Sequence, residues 1–215
     1  GQTFHTYGAI TRFEVGKPAW YFYGYKYTGI DEATGNPTFA DLNDDNAITE
    51  ADKTMIGKGI ADMTYGITLT AAWKGLDLIV FGTGSYGAHI YSCLNRPDYT
   101  LNKLTYFVED RWTPSHTKAS MPRAGATDMD KYYTSSASVF DGSYFKIKQI
   151  QLGYTFPQKW MKTIKVSNLR VYASLDDFFT FSDYPGFDPE VTNMGVDKGT
   201  FPTSKKVVAG VSITF

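Results

Sequence analysis

The sequence predicts an all-β chain: an arc of about seven antiparallel strands from a larger transmembrane β-barrel, with short turns at one end and long loops at the other. Three observations carry this expectation. Apolar and polar residues alternate with period 2 over stretches long enough to cross a bilayer as strands, about 9–11 residues. The connections between these stretches alternate strictly between short and long. The 215 residues include 16 Tyr, 15 Phe and 4 Trp, an aromatic excess suited to strands and interfaces.

The strands are expected near residues 3–14, 18–27, 63–73, 76–86, 143–156, 167–180 and 204–215. In 18–27, Tyr21, Tyr23, Tyr25 and Tyr27 share one face and Trp20 and Phe22 the other. Met63, Tyr65, Ile67, Leu69, Ala71 and Trp73 alternate with Thr64, Gly66, Thr68, Thr70 and Ala72. Ile150, Leu152, Tyr154 and Phe156 alternate with Gln149, Gln151, Gly153 and Thr155, and Leu169, Val171, Ala173 and Leu175 with Arg170, Tyr172 and Ser174. The pattern is strongest at the end, where Val207, Ala209, Val211, Ile213 and Phe215 face opposite to Val208, Gly210, Ser212 and Thr214. Aromatics near strand ends (Phe13, Trp73, Phe156, Trp160, Phe215), together with the tyrosines of 18–27, suit girdles at membrane–water interfaces.

The connections 15–17, 28–62, 74–75, 87–142, 157–166 and 181–203 run 3, 35, 2, 56, 10 and 23 residues. In an up-and-down meander, alternate connections lie at opposite ends of the sheet. All tight turns therefore fall on one side, read as periplasmic, and all long loops on the other, read as extracellular. Seven is odd, whereas bacterial single-chain barrels have even strand numbers, so the strands are expected to be part of a larger barrel. The first residues, Gly1-Gln-Thr-Phe-His5, carry no basic or apolar leader, as expected of an internal or C-terminal segment or of a processed chain. No run approaches the roughly 20 apolar residues of a membrane-spanning helix.

Charge and composition remove other classes. With 21 Lys plus Arg against 22 Asp plus Glu, the net charge is −1, which offers nothing to neutralise nucleic-acid phosphates. Cys93 is the single cysteine, so no disulfide framework forms within the chain. His5, His89 and His116 match no metal or triad spacing. No nucleophile elbow, P-loop or zinc-protease motif is present. A non-enzymatic protein is expected.

The sharpest local motif is Asp41-Leu-Asn43-Asp-Asp45-Asn46-Ala47-Ile48-Thr49-Glu-Ala-Asp52. Its oxygen-bearing side chains fall at positions 1, 3, 5, 9 and 12 of an EF-hand-type calcium loop. On this register Asp41, Asn43 and Asp45 supply side-chain oxygens, Ala47 its carbonyl, Thr49 a direct or water-mediated contact, and Asp52 the closing carboxylate. Position 6 is Asn46 instead of Gly, a residue that tolerates the left-handed conformation, and position 12 is Asp instead of Glu. A structural Ca²⁺ stiffening the long loop is expected; an acidic, solvated turn without metal is the alternative. Within 87–142, Leu101, Leu104, Phe107 and Val108 predict a short amphipathic helix, followed by Arg111-Trp112-Thr113-Pro114. The stretch Asp183-Tyr184-Pro185-Gly186-Phe187-Asp188-Pro189-Glu190 suits an ordered lid or a carbohydrate-stacking surface.

Several of these segments together resemble the C-terminal region of the SusC/RagA family of TonB-dependent outer-membrane proteins. They are Phe22-Tyr-Gly-Tyr25 leading to Gly29-Ile30, the acidic loop 41–52, Ile56-Gly57, Leu76-Asp77, Arg111-Trp112-Thr-Pro114 and Pro122-Arg123. Asp141-Gly-Ser-Tyr-Phe-Lys-Ile-Lys148, Leu152-Gly-Tyr-Thr-Phe-Pro157, Leu169-Arg-Val-Tyr172, Gly186-Phe-Asp-Pro-Glu-Val191 and Phe215 follow in the same order. Asp176-Asp177 departs from the family, which commonly has an amide before an aromatic. The resemblance implies that residues 1–215 are the last part of a 22-stranded barrel in the bacterial outer membrane, with the N-terminal plug domain absent from this chain. It implies a TonB-dependent nutrient importer of oligosaccharides or peptides, with a SusD-like surface lipoprotein over the loops and the TonB complex engaged through the missing part. Residue 28–62 becomes an extracellular loop carrying the calcium site. Phe215, with apolar residues at alternate positions before it, also resembles the signal read by the barrel-assembly machinery. Thr68, Thr70, Gln149, Gln151, Ser212 and Thr214 are then expected to face a hydrated lumen, and their neighbours the lipid. The competing expectations are a secreted, calcium-stabilised β-domain that binds glycans through aromatic loops, and a passive porin-like barrel.

Overall fold

A computed structural model describes residues 2–4, 10–96, 104–162, 165–191 and 194–215. The chain divides into two compact units, one of residues 63–86, 144–182 and 202–215 and the other of 1–62, 87–143 and 183–201.

The first unit is one five-stranded antiparallel sheet. Its strands are β1 (Met63–Trp73), β2 (Leu76–Tyr86), β3 (Tyr144–Thr155), β4 (Asn168–Phe181) and β5 (Lys206–Thr214). Each pairs with the next in chain order, so the sheet is a pure meander. With 9 to 14 residues apiece, the strands are long enough to cross hydrocarbon. The β1–β2 turn is the two-residue Lys74-Gly75, with φ of 48° and 93°. Positive φ at both central residues is the type I′ geometry, whose twist matches that of the flanking strands. One irregularity interrupts the ladder between Ile147 and Gln149 of β3. There Lys148 and Asp177, the latter at φ 57°, form an ion pair at 3.4 Å.

Period-2 patterning and register agree across all five strands. One face carries Leu69, Leu78, Leu152, Val211 and Ile213 with their alternates; all five are exposed, Leu69 at 64% and Val211 at 63%. On this face Tyr65 of β1 lies over Gly84 of β2, in space that a Cβ would fill. The ring thereby stacks on Phe145 of β3 (centroids 6.1 Å, planes 5° apart), which stacks in turn on Phe181 of β4 (6.4 Å, 21°). A glycine in the second strand thus lets one aromatic rung run across four strands.

The second unit contains three small sheets. Gln2–Phe4, Thr11–Phe13, Tyr21–Tyr25 and Lys53–Lys58 pair antiparallel in that order. Val139–Asp141 pairs with His89–Ser92, which also takes Val196–Asp197 as a parallel neighbour. Tyr27–Ile30 and Pro37–Phe39 form a hairpin. Ile10, Phe22, Tyr91, Cys93 and Val196 make its core, with Ile56 and Val139 packed against it. Residues from three distant stretches of sequence meet in this core, so Tyr91, Cys93, Val139 and Val196 are held by burial and not only by local turns.

The all-β, antiparallel class holds, but the large sheet has five strands where the sequence predicted seven. The described residues of 3–14 and 18–27 that form strands pair in the other unit. The reason lies in 18–27 itself: Tyr21 and Phe22 point to opposite faces and are 2% and 0% exposed. A strand apolar on both faces has no polar side to offer water and is buried instead. Trp20, at φ 55°, begins this strand and leaves it five residues long, too short to span a bilayer. Tyr21 and Tyr25 are therefore core residues and not part of an interfacial girdle. The expected helix near 101–108 is Thr105–Glu109; Phe107 is buried, Val108 is exposed, and Leu101 lies outside the described residues.

Replacing Gly84 by Ala will displace Tyr65 from Phe145 and lower stability by about 1 kcal/mol, the worth of an aromatic pair. At Gly66 an added methyl meets only ordinary contacts at 3.7 and 3.8 Å, and Gly66→Ala will change stability little. Denaturant titration of the sheet signal by circular dichroism distinguishes the two outcomes.

Candidate functional site

The polar face of the large sheet is the first candidate. Register places Thr68 beside Phe81, then Gln149, Asp176 and Lys206; Thr70 begins the next row, through Ile79, Gln151, Ser174 and Val208. Ser212 and Thr214 stand opposite Arg170 and Asn168 on the same face. All six positions expected to line a lumen therefore share one surface, opposite the exposed apolar one.

One charged pair organises that surface. Asp77 of β2 and Arg170 of β4 are separated by β3, yet the Arg170 guanidinium donates two hydrogen bonds to the Asp77 carboxylate, Nε at 3.1 Å and Nη2 at 2.5 Å. They meet because the intervening residue is Gly153, which pairs with Asp77 on one side and Tyr172 on the other. Any Cβ there would stand in the guanidinium. Arg170 also lies over the Tyr172 ring, 5.2 Å from its centroid, and Tyr172 covers Gly210 of β5. A bidentate pair of this kind is directional as well as attractive. In the sequence the two residues stand in separate motifs, Leu76-Asp77 and Leu169-Arg-Val-Tyr172, with nothing in either that pairs them. Their shared polar position in the alternation was the available signal.

The acidic loop is the second candidate. The Asp41 carboxylate accepts from the backbone N–H of Asp45 (3.3 Å) and Asn46 (2.8 Å), and that of Asp45 from Ala47 N–H (2.8 Å). Asn43 donates its side-chain amide to Asp45 at 2.8 Å. Asn46 takes φ 63°, the left-handed conformation that a glycine would adopt at this position without strain. Asp41, Asn43 and Asp45 are thus gathered on one turn, with Ala47 exposed beside them. Asp52 is placed differently. It is fully buried, and its two oxygens accept from the N–H groups of Leu42 and Thr49, each at 2.8 Å. Thr49 caps the short 3₁₀ turn Glu50–Asp52 by accepting from Ala51. The N–H of Thr49, then those of Leu42 and Asn43, and the Asp41 side chain hold the Asp52 carboxyl below its ordinary range. Among the described residues no three His, Cys, Asp or Glu side chains form a ready metal cage. The donors of the loop are all oxygen, the chemistry a hard cation takes.

The aromatic stretch 183–190 is ordered. Tyr184 is buried, rests over Gly186, packs on Phe140 (5.9 Å) and donates its hydroxyl to the buried Asp197 at 2.6 Å. Asp197 also accepts from Gly199 N–H at 2.8 Å. Phe187 alone of its aromatics is exposed. Trp112 is likewise structural: its ring covers Gly35 and its indole N–H donates to Glu32 O at 3.0 Å. No motif in the sequence around Asp197 marks its role.

No family model matches the chain. It is 30% identical over 222 aligned residues to TonB-dependent receptor P3 of Formosa agariphila, covering 90% of this chain and 22% of that protein. It is 28% identical to TonB-dependent receptor SusC of Bacteroides thetaiotaomicron, covering 89% of this chain and 19% of that protein. The structure of the RagAB peptide transporter superposes with a TM-score of 0.81 at 26% identity, over 96% of this chain and 24% of the matched chain. The chain therefore spans about a fifth to a quarter of the proteins it matches. Sequence similarity across nine-tenths of its residues joins with the two-faced antiparallel sheet, and on these grounds the chain is similar to a β-barrel portion of TonB-dependent outer-membrane receptors, SusC among them.

Proposed function

We propose that this chain is the wall and loop portion of a TonB-dependent importer that carries oligosaccharides or peptides across the outer membrane. The observation that carries the reading is the sheet with one exposed apolar face and one polar face, as a strand array between lipid and water requires. The polar face, with Thr68, Thr70, Gln149, Gln151, Ser212, Thr214 and the Asp77–Arg170 pair, lines the hydrated interior. The segments 28–62, 87–142 and 181–203 face the cell exterior, contact a SusD-like lipoprotein that lies over them, and contribute to the substrate cavity. The plug and the TonB-contacting segment belong to the remainder of the receptor. Support comes from the similarity to TonB-dependent receptors and from the tight type I′ turn at one end of the sheet, opposite the ends where the long segments depart.

The loop 41–52 is proposed to hold a structural Ca²⁺. Asp41, Asn43 and Asp45 offer side-chain oxygens, Ala47 its carbonyl and Thr49 its hydroxyl, while Asp52 closes the loop from beneath through the backbone N–H groups it already accepts. When bound, the ion supplies charge neutralisation for the clustered carboxylates and stiffens a long segment.

Two outcomes are expected. Uptake of labelled oligosaccharide or peptide mixtures by the native cells will fall to background when the receptor is deleted, and equally when the proton-motive force is dissipated; unchanged uptake in both cases would overturn the importer reading. Receptor carrying Asp41→Ala and Asp45→Ala together will lose bound calcium in elemental analysis of the purified protein. An unaltered calcium content in that variant would refute the site.

A further inference from the structure

The short-turn end of the large sheet has an unbalanced charge. Lys74 lies in the β1–β2 turn, and Lys159, Lys162 and Lys165 lie in the segment joining β3 to β4. All four are exposed, and none makes an ion pair among the described residues. In the stretches 71–78 and 153–170 the only acidic residue is Asp77, and its carboxylate is taken by Arg170 at 2.5 and 3.1 Å. Four positive charges therefore remain without an ion-pair partner among the described residues at this end.

The two lysine-bearing connections are neighbours. Thr155 donates its N–H to Gly75 O at 2.7 Å, and Gly75 packs so tightly on Thr155 that no Cβ fits. Buried Met161 anchors the β3–β4 segment, its carbonyl accepting from Val166 N–H at 3.1 Å. The residues flanking Met161 are thereby turned outward: Lys162 and, one position before, Trp160, which is 51% exposed. Trp73 is 67% exposed at the same end, and the Lys74 ammonium lies 4.7 Å from its ring centroid. Tyr154, Phe156 and Trp160 form a continuous aromatic run (5.0 and 6.4 Å). Tyr154 lies on the apolar face of β3 and Phe156 follows just beyond the strand, so this run begins where that face ends.

Exposed Trp beside an exposed apolar face marks the depth at which hydrocarbon gives way to head groups. Lysine stems can lie along the apolar surface while their ammonium groups reach the head-group layer. A cluster of about four such cations at this depth attracts anionic lipid with about 1 kcal/mol per lysine. We propose that the short-turn end of the sheet is a docking patch for anionic phospholipid head groups, with Lys74, Lys159, Lys162 and Lys165 as its cationic contacts and Trp73 and Trp160 setting the depth. The inference rests on the outer-membrane reading above and adds to it a chemical preference among lipids. A periplasmic acidic protein is the competing partner; the exposed aromatics and the adjoining apolar face favour lipid.

The test uses the full-length receptor reconstituted in bilayers, with tryptophan quenching by brominated phosphatidylglycerol or brominated phosphatidylcholine. The unaltered receptor will prefer phosphatidylglycerol by about fivefold at low salt, the ratio that one such lysine contact gives. The quadruple variant Lys74→Gln, Lys159→Gln, Lys162→Gln, Lys165→Gln will bring the ratio to about 1, and the corresponding quadruple Arg variant will keep the preference. Equal quenching by both lipids in the unaltered receptor, or a preference that survives in the Gln variant, overturns the proposal. Quenching by neither lipid would instead overturn the membrane reading on which it rests.

Discussion

A backbone that crosses hydrocarbon must satisfy each N–H and C=O with a neighbouring strand, because lipid offers no alternative partner. In this chain that requirement selects the five-stranded meander and fixes its register. Once the ladder from β1 to β5 is continuous, side chains have only two directions, and each direction meets a different solvent. Leu69, Leu152 and Val211 then share one surface while Thr70, Gln151 and Ser212 share the other. A slip of one residue in any pair would put a threonine or glutamine into hydrocarbon and a leucine into water. The alternation thus specifies the pairing as firmly as the hydrogen bonds do.

Glycines and aromatics refine this frame in a complementary way. Gly84 and Gly210 leave hollows that Tyr65 and Tyr172 fill from the adjacent strand, one on each face. The tyrosines thereby gain contact area without crowding their own strand, and the glycines lose the destabilising exposure of bare backbone. Gly153 is used differently: its hollow admits a salt bridge between strands that do not touch each other. The second unit follows other rules. Its strands are short and are buried through Phe22, Tyr91 and Val196, and its loops are held by carboxylates that accept backbone N–H groups, as Asp52 and Asp197 do.

Much of the large sheet was legible because strands with two solvents carry their orientation in the sequence. Val207 to Phe215 could be read residue by residue, and the two-residue Lys74-Gly75 turn announced itself through its length. The segment 18–27 misled for a physical reason: a ladder of tyrosines has the period of a barrel strand, and only the apolar character of the alternate residues, Trp20 and Phe22, signals burial on both sides. In the acidic loop, Asn46 takes the left-handed backbone conformation expected of its position. The inward turn of Asp52 toward Leu42 and Thr49 was not legible, because hydrogen bonding to local backbone leaves no periodic trace. The Asp77–Arg170 contact was hidden for a related reason. It joins residues 93 apart in sequence through a third strand, and nothing local to either residue records the other.

That contact stiffens the sheet locally. Hydrogen-bonded strands resist separation but can be displaced along their own axes, and a tie that vaults over the middle strand opposes such sliding in both of its neighbours at once. Curling of the sheet about the strand direction changes the gap between the same two strands on this face, so the tie also opposes a change of curvature where it crosses. At that point both the stagger of the strands and the bend of the wall are held by one pair of charges.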